Sequence, residues 1–164
     1  MVECVPDLRW LSDDEQRAWR LFLQFQRTLA DKLSSDLAPF GLGFADYEVI
    51  ALLSEAPGRR LRMTELAQVV VSPRSRLTYQ IDQLVHRGLV ERIKCDTDRR
   101  GYYAHLTDLG WDTVQILAPV HVSGVQQHLF GHMKHEDIVA LAAILERAVD
   151  GLQGTGPAAE LATA

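Results

Sequence analysis

Two short segments with helix-start signals lie only a few residues apart in the middle of the chain, and this closeness constrains the fold most. In the stretch 61–93, LRMTELAQVVVSPRSRLTYQIDQLVHRGLVERI, Thr64 is expected to cap a short amphipathic helix. Ser72 is expected to cap the next helix, with Pro73 at its first position, where the missing N–H costs nothing. Two short helices joined by so tight a turn predict a helix-turn-helix.

The second of these helices has an apolar stripe and a polar face. The stripe consists of Leu77, Ile81, Leu84 and Val85, and Gly88 is expected to end the helix. A helix presented in this way enters the major groove of DNA with its N-terminal residues leading. Arg76 is the best candidate for a base contact, because a guanidinium can grip guanine O6 and N7 together. The candidate DNA-binding residues here are Thr64, Ser72, Arg74, Ser75, Arg76, Thr78, Tyr79 and Gln80.

Residues 89–95 and 102–106 are rich in β-branched and aromatic side chains and predict two strands. The turn CDTDRRG, residues 95–101, joins them as a hairpin with a charged tip. Such a tip can reach the neighbouring minor groove, where the negative potential attracts an arginine. The wing residues assigned to DNA are Arg99 and Arg100, and those expected to hold the turn are Asp96, Asp98 and Gly101.

Charge is distributed unevenly along the chain. Residues 59–100 contain ten Lys and Arg against five Asp and Glu, although the whole chain carries a net charge of −5. A basic segment inside an acidic protein indicates a polyanionic partner for that segment alone.

Helices are predicted on both sides of this segment. A long amphipathic helix begins after Ser12 and ends at Pro39 and Gly41, and a second helix spans residues 45–55. Thr107 caps a later helix in which Pro119 predicts a kink, and a last helix spans residues 136–152. The expected fold class is mainly α with a small β-hairpin wing.

Several classes of protein are excluded by what the sequence lacks. There is no apolar run long enough for a membrane span and no signal peptide, so we expect a cytoplasmic protein without membrane contact. Cys4 and Cys95 offer no disulfide framework. Nucleophile motifs, phosphate-binding glycine loops and dinucleotide fingerprints are absent, so we expect neither an enzyme nor a cofactor.

These residues together resemble the MarR (multiple antibiotic resistance regulator) family of bacterial winged-helix transcription factors. The resemblance covers residues 12–152. It rests on FADYEVIALLSEAP, the TELA helix, SPRSRLTYQIDQLVHRGLVER, the DxDRR wing and LTDLG at the start of the following helix.

The resemblance implies a homodimer that binds a palindromic operator in double-stranded DNA, represses transcription and is released by a small aromatic or anionic effector. Residues 1–11 would be an N-terminal extension, 12–40 and 107–152 the helical dimerisation region, 41–106 the winged helix-turn-helix domain, and 153–164 a disordered tail. The candidate ligand-binding residues are Trp19, Phe22, Leu23, Gln26, Tyr47, Ile50 and His86.

The sequence departs from the family pattern at Lys134 and His135, where the last helix usually begins with Ser or Thr followed by Pro. Three alternatives remain open. The winged helix could bind a protein and not DNA. Cys95, beside Lys94, could sense redox state. A histidine cluster could sense a metal, since His128 and His132 have i, i+4 spacing if the helix continues through Gly131; its members are His121, His128, His132 and His135.

Overall fold

The computed structural model describes residues 9–70, 73–95 and 101–153, which contain six α-helices and three β-strands. The chain divides into two units, residues 1–121 and 122–164, and the three strands belong to the first. This architecture confirms the predicted fold class of a mainly helical chain with a small β wing. 

The long first helix, α1 (Asp13–Leu37), starts and stops where the sequence predicts. Ser12 Oγ accepts from the Glu15 backbone N–H, and the Glu15 carboxylate accepts from the Ser12 N–H at 2.7 Å. This reciprocal pair satisfies two otherwise unpaired donors of the first turn. At the other end a 3₁₀ turn (Ala38–Phe40) follows, and Gly41 takes the left-handed backbone conformation at φ 74°.

The second helix, α2 (Phe44–Glu55), begins one residue earlier than predicted. Its N-cap position is Gly43, which has no side chain to cap the helix. The Ser34 hydroxyl of α1 accepts from the Phe44 N–H at 3.2 Å instead. The start of α2 is therefore fixed by a neighbouring helix.

A helix-turn-helix follows, formed by α3 (Met63–Val69) and α4 (Arg74–His86), but two predicted caps are wrong. Thr64 is inside α3, because Arg62 occupies the N-cap and its N–H donates to the Glu65 carboxylate at 3.1 Å. Pro73 is the N-cap of α4 and not its first residue, since its ψ of 137° is extended. Ser72, the predicted cap, lies outside the described residues.

The sheet contains the two predicted strands, β2 (Val90–Lys94) and β3 (Tyr102–Leu106), and one that the sequence pattern missed. That strand is β1 (Arg60–Arg62). All pairs are antiparallel in the order β1-β3-β2, with Leu61 opposite Ala104 and Arg92 opposite the same residue on the other side.

One hydrophobic core joins α2, the helix-turn-helix and the sheet. The predicted stripe of α4 is buried at Leu77, Ile81 and Leu84, whereas Val85 is 38% exposed, contrary to prediction. Val85 points about 100° away from Leu84 around the helix, so it lies at the edge of the stripe. The core side chains with little or no exposure include Leu37, Val49, Ile50, Leu53, Leu66, Leu106 and Leu117.

The helix α5 (Asp108–His128) runs through Pro119 without interruption. Its start is tied to the end of α4 by Thr107, whose hydroxyl accepts from the Gly110 N–H at 3.0 Å and donates to the Gly88 carbonyl at 2.7 Å. Thr107 is thus the predicted cap of α5 and also a bridge to the turn that closes α4.

The second unit holds the end of α5, a 3₁₀ turn (Phe130–His132) and α6 (His135–Gln153). Lys134 stands where the family usually has a capping hydroxyl, and its N–H donates to the Asp137 carboxylate at 2.9 Å. The Asp137 carboxylate thus supplies one half of a capping box, whereas the Lys134 side chain has no acceptor to offer to the first turn. Helix α6 includes Gln153, which the sequence assigned to the tail; residues 154–164 lie outside the described part.

No described helix taken singly is long and apolar enough to cross a membrane. The segments Asp13–Phe40 and Phe44–Glu55 meet that length and composition only as a pair, bent by 79°.

Candidate nucleic-acid interface

The N-terminal half of α4 presents polar side chains to solvent. Ser75, Arg76 and Thr78 are exposed, and Tyr79 is 67% exposed. Leu77 and Ile81 are buried beneath them, so the core fixes which face of α4 points outward. Arg74 is the first residue of the helix. Thr64, at the second position of α3, is exposed as well.

A shallow groove runs beside this face of α4, between it and the start of α2. Its volume is about 300 Å³, and most of the residues that line it have polar or charged side chains. Inside it the Gln80 side-chain amide donates to Asp46 Oδ1 at 3.3 Å. The residues that line it are Ala45, Asp46, Arg76, Tyr79, Gln80, Gln83 and Arg87.

Two arginines that the sequence analysis did not single out hold α4 in place. Arg92 of β2 forms an ion pair with Asp82 at 2.9 Å and donates to the Thr78 carbonyl at 3.3 Å. Arg87, just after α4, donates to the Gly41 carbonyl at 2.7 Å. The sequence signal for these two residues was only the excess of arginine in this segment. No local pattern predicts either contact.

The wing begins as the predicted hairpin. Beyond the paired strands the Cys95 N–H donates to the Gly101 carbonyl at 3.0 Å, which brings the two ends of the turn together. On the solvent face of the sheet, Glu91 and His105 pair at 2.9 Å. The predicted tip residues Asp96, Asp98, Arg99 and Arg100 lie outside the described residues.

The candidate ligand-binding residues are not all equally accessible. Trp19 and Phe22 of α1 stack on each other at 6.1 Å and are about half exposed, at 53% and 47%. Tyr47 and Ile50 are core residues instead. Leu23 is half-buried, and Gln26 and His86 are exposed.

His121 of α5 was grouped with a histidine cluster, but the structure places it against α2. Its ring lies 4.7 Å from that of Tyr47 and 5.9 Å from that of Phe44. Its Nδ1 is buried and has no hydrogen-bond partner in the described chain. Burial lowers the pKa of His121, because the charged ring is poorly solvated there.

The candidates for metal and redox sensing are the histidine cluster and Cys95. α5 ends at His128, and Leu129 and the 3₁₀ turn follow, so His128 and His132 are not on successive turns of one α-helix. No three His, Cys, Asp or Glu side chains within 9–70, 73–95 and 101–153 could hold a metal ion together. Cys95 is buried at the base of the wing.

A helix-turn-helix followed by a two-stranded wing, with a polar face at the start of the second helix, defines the class of winged-helix DNA-binding proteins. A sequence model of the MarR family matches residues 40–101. The crystal structure of AbsC, a MarR family transcriptional regulator from Streptomyces coelicolor, is similar with a TM-score of 0.83 and 41% identity. That match covers 90% of this chain and 99% of AbsC.

A second solved structure is that of Sco3205, a MarR family transcriptional regulator from Streptomyces coelicolor in complex with DNA. Its TM-score is 0.85 at 37% identity, covering 90% of this chain and 93% of Sco3205. The regulator YkoM of Bacillus subtilis is 25% identical over 144 residues, covering 86% of this chain and 92% of YkoM. The chain therefore belongs to the MarR family, and it is a DNA-binding transcriptional regulator and not an enzyme.

Proposed function

We propose that this protein is a homodimeric repressor that binds a palindromic operator and leaves it when a small aromatic or anionic ligand binds. The observation that carries the proposal is the exposed start of α4, where Ser75, Arg76 and Tyr79 stand above a buried stripe. The DNA-binding residues are those predicted from the sequence, with Arg76 gripping a guanine. The wing arginines Arg99 and Arg100 add contacts in the minor groove.

Unpartnered apolar side chains support the homodimer. On α1, Trp19, Leu21 and Phe22 are each about half exposed, and Phe25 is 42% exposed. Helix α6 likewise exposes apolar residues, namely Val139, Ile144, Leu145, Val149 and Leu152. Apolar surface of this extent marks an interaction site. Residues 12–40 and 107–152 would supply the dimer interface and place two copies of α4 about 34 Å apart, one turn of DNA.

The aromatic side chains of α1 support a ligand site. Trp19 and Phe22 form a stacked, exposed pair, and Leu23 and Gln26 follow on the same helix. Flat aromatic rings stack well on such a surface. Tyr47 and Ile50, which are buried in the core, and His86 complete the predicted set.

The test is fluorescence anisotropy of the purified protein on the DNA upstream of its own gene and on scrambled DNA, across a salt series. We expect the protein to bind the upstream DNA selectively, with an affinity that falls steeply as the salt concentration rises. Weak binding without preference would favour the alternative of a winged helix that binds a protein partner.

Ligand release is tested on the same complex. Aromatic carboxylates and phenols are titrated into it, with the matched aliphatic carboxylates as controls. An aromatic effector should lower operator affinity and raise the thermal stability of the unbound protein. If no compound changes either quantity, the proposed effector class is wrong.

A further inference from the structure

The Asp46 carboxylate holds a recognition side chain from outside the recognition helix. Gln80 Nε2 of α4 donates to Asp46 Oδ1 of α2 at 3.3 Å, and the contact is partly buried. Both residues line the groove that Arg76 and Tyr79 also line. The orientation of the Gln80 amide is therefore set by α2.

The turn that carries Asp46 is well anchored. Before it, the Phe44 N–H donates to the Ser34 hydroxyl at 3.2 Å. After it, Tyr47 is 5% exposed and packs against the His121 ring. Asp46 also lies in the first turn of α2, where the helix dipole favours a negative charge. Asp46 is thus a fixed acceptor and not a mobile surface group.

A fixed acceptor decides what the Gln80 amide offers to DNA. A carboxylate only accepts hydrogen bonds, so Nε2 must face Asp46 and Oε1 must face away. The carbonyl and the remaining N–H match adenine, which presents an N6 donor beside an N7 acceptor. Guanine presents two acceptors, O6 and N7, and would meet the Gln80 carbonyl unfavourably.

We propose that Asp46 is a positioning residue that fixes the Gln80 amide so that it favours adenine and rejects guanine at one operator position. This inference rests on the proposed function, in which Gln80 faces the base edges. An unrestrained glutamine could rotate its amide and accept either purine, so Asp46 contributes discrimination without touching a base.

The charge of Asp46 gives the proposal a distinctive signature. Asp46 shares its groove with Arg76 and Arg87, on a surface that would approach phosphates. Its negative charge opposes the sequence-independent attraction to DNA. Loss of this charge should strengthen binding to any DNA and weaken selectivity, two changes of opposite sign. General damage to the fold would lower both the affinity for DNA and the selectivity.

The experiment compares full-length wild type with Asp46→Asn, Gln80→Ala and the double variant by fluorescence anisotropy. The DNA set is the upstream operator, its single-base-pair variants and a scrambled duplex. Gln80→Ala should lose about 5- to 100-fold of adenine-over-guanine discrimination at one position. Asp46→Asn should lose about 3- to 10-fold there and bind scrambled DNA a few-fold more tightly, roughly as expected for one removed charge.

Two further results would support the proposal: the double variant discriminates no worse than Gln80→Ala, and Asp46→Glu, which keeps the carboxylate, restores much of the selectivity. Unchanged discrimination in Asp46→Asn at the position that Gln80→Ala relaxes would overturn it. Lower affinity for every duplex together with a lower melting temperature would overturn it too, because Asp46 would then only support the fold.

Failure of the proposed function would look different. In that case the wild type itself would show no preference for the operator over scrambled DNA. If the wild type is selective but Gln80→Ala keeps the same base selectivity at every operator position, Gln80 reads no base. The positioning role proposed for Asp46 would then be wrong as well.

Discussion

Arg76 is the side chain to which we assign the base contact of α4 in the proposed function. We predict that Arg76→Ala weakens operator binding by about 1 to 3 kcal/mol and relaxes selectivity at one base pair, because a bidentate contact to guanine is lost. Arg76→Lys is the matched control, since it keeps the charge and loses the planar fork. If Arg76→Ala instead loses the same affinity on every sequence, Arg76 binds phosphate and not a base. Anisotropy on operator variants measures both quantities.

His121 gives the fold a dependence on pH. Burial lowers the pKa of His121, so the folded state binds a proton less readily than the unfolded chain. In the unfolded chain the pKa of a histidine is about 6.5. This contribution to stability is present above that pH and is lost as the pH falls toward the lowered value in the folded state. We predict that the free energy of unfolding of wild type falls relative to that of His121→Phe between pH 7 and pH 5.

Urea unfolding at one fixed protein concentration measures this difference. Burial also raises the pKa of Glu48, but both proteins keep that carboxyl, so its effect cancels in the comparison. A difference between wild type and His121→Phe that does not change with pH would contradict the prediction.

Contacts between single residues that are distant in sequence could not be predicted from the sequence. The exposed face of α4 follows from helical periodicity, so Arg76 could be singled out from sequence. Asp46 and Gln80 are 34 positions apart, and no local pattern pairs them. The sequence grouped His121 with His128 and His132, yet the structure packs the His121 ring against Tyr47 of α2.

At the scale of elements, the junction of α5 with the sheet depends on Gly110. A Cβ there would overlap the Leu89 carbonyl oxygen and lie 2.6 Å from the Leu106 side chain. We predict that Gly110→Ala destabilises the protein by at least about 2 kcal/mol, because backbone cannot move aside as a side chain can. Gly151→Ala in α6 is the matched control, since nothing lies within 4 Å of its Cβ.

Alanine is a better helix former than glycine, so Gly151→Ala should leave the free energy of unfolding unchanged or raise it by at most about 1 kcal/mol. Thermal and urea unfolding of both variants provide the measurement. Equal stability of Gly110→Ala and wild type would show that the junction can relax.

Elements were predictable where local chemistry decides them. Ser12 at the start of α1 and the glycines after α1 and α4 are local signals, and they were read correctly. β1 was missed because Arg60–Arg62 is short and charged, and pairing with β3 alone makes it a strand. The start of α3 was misread because Arg62 and Glu65, not the hydroxyl of Thr64, cap it.

At the scale of the whole molecule, the exposed apolar side chains of α1 and α6 predict the assembly state. We expect Leu145→Asp to shift the proposed dimer toward monomer, because the partner would have to bury an unpaired charge. Operator affinity should then fall by more than about 100-fold, since both half-sites must be held together. Analytical ultracentrifugation and anisotropy measure the two effects.

The neighbouring substitution Glu146→Gln, on an exposed position, should leave the assembly intact. A Leu145→Asp protein that sediments like wild type would place the interface elsewhere. The sequence could predict the apolar faces of these helices from their periodicity, but not which of them a partner covers, because one chain does not contain its partner.

The hydroxyl of Thr107 gives α4 a pivot at its C-terminal end. It joins the first turn of α5 to the glycine that closes α4, so the position of that end of α4 is coupled to α5. Arg76 lies about 18 Å from this pivot along the helix. A rotation of about 10° would therefore carry Arg76 roughly 3 Å sideways, the whole length of a hydrogen bond, while the residues near the pivot scarcely move.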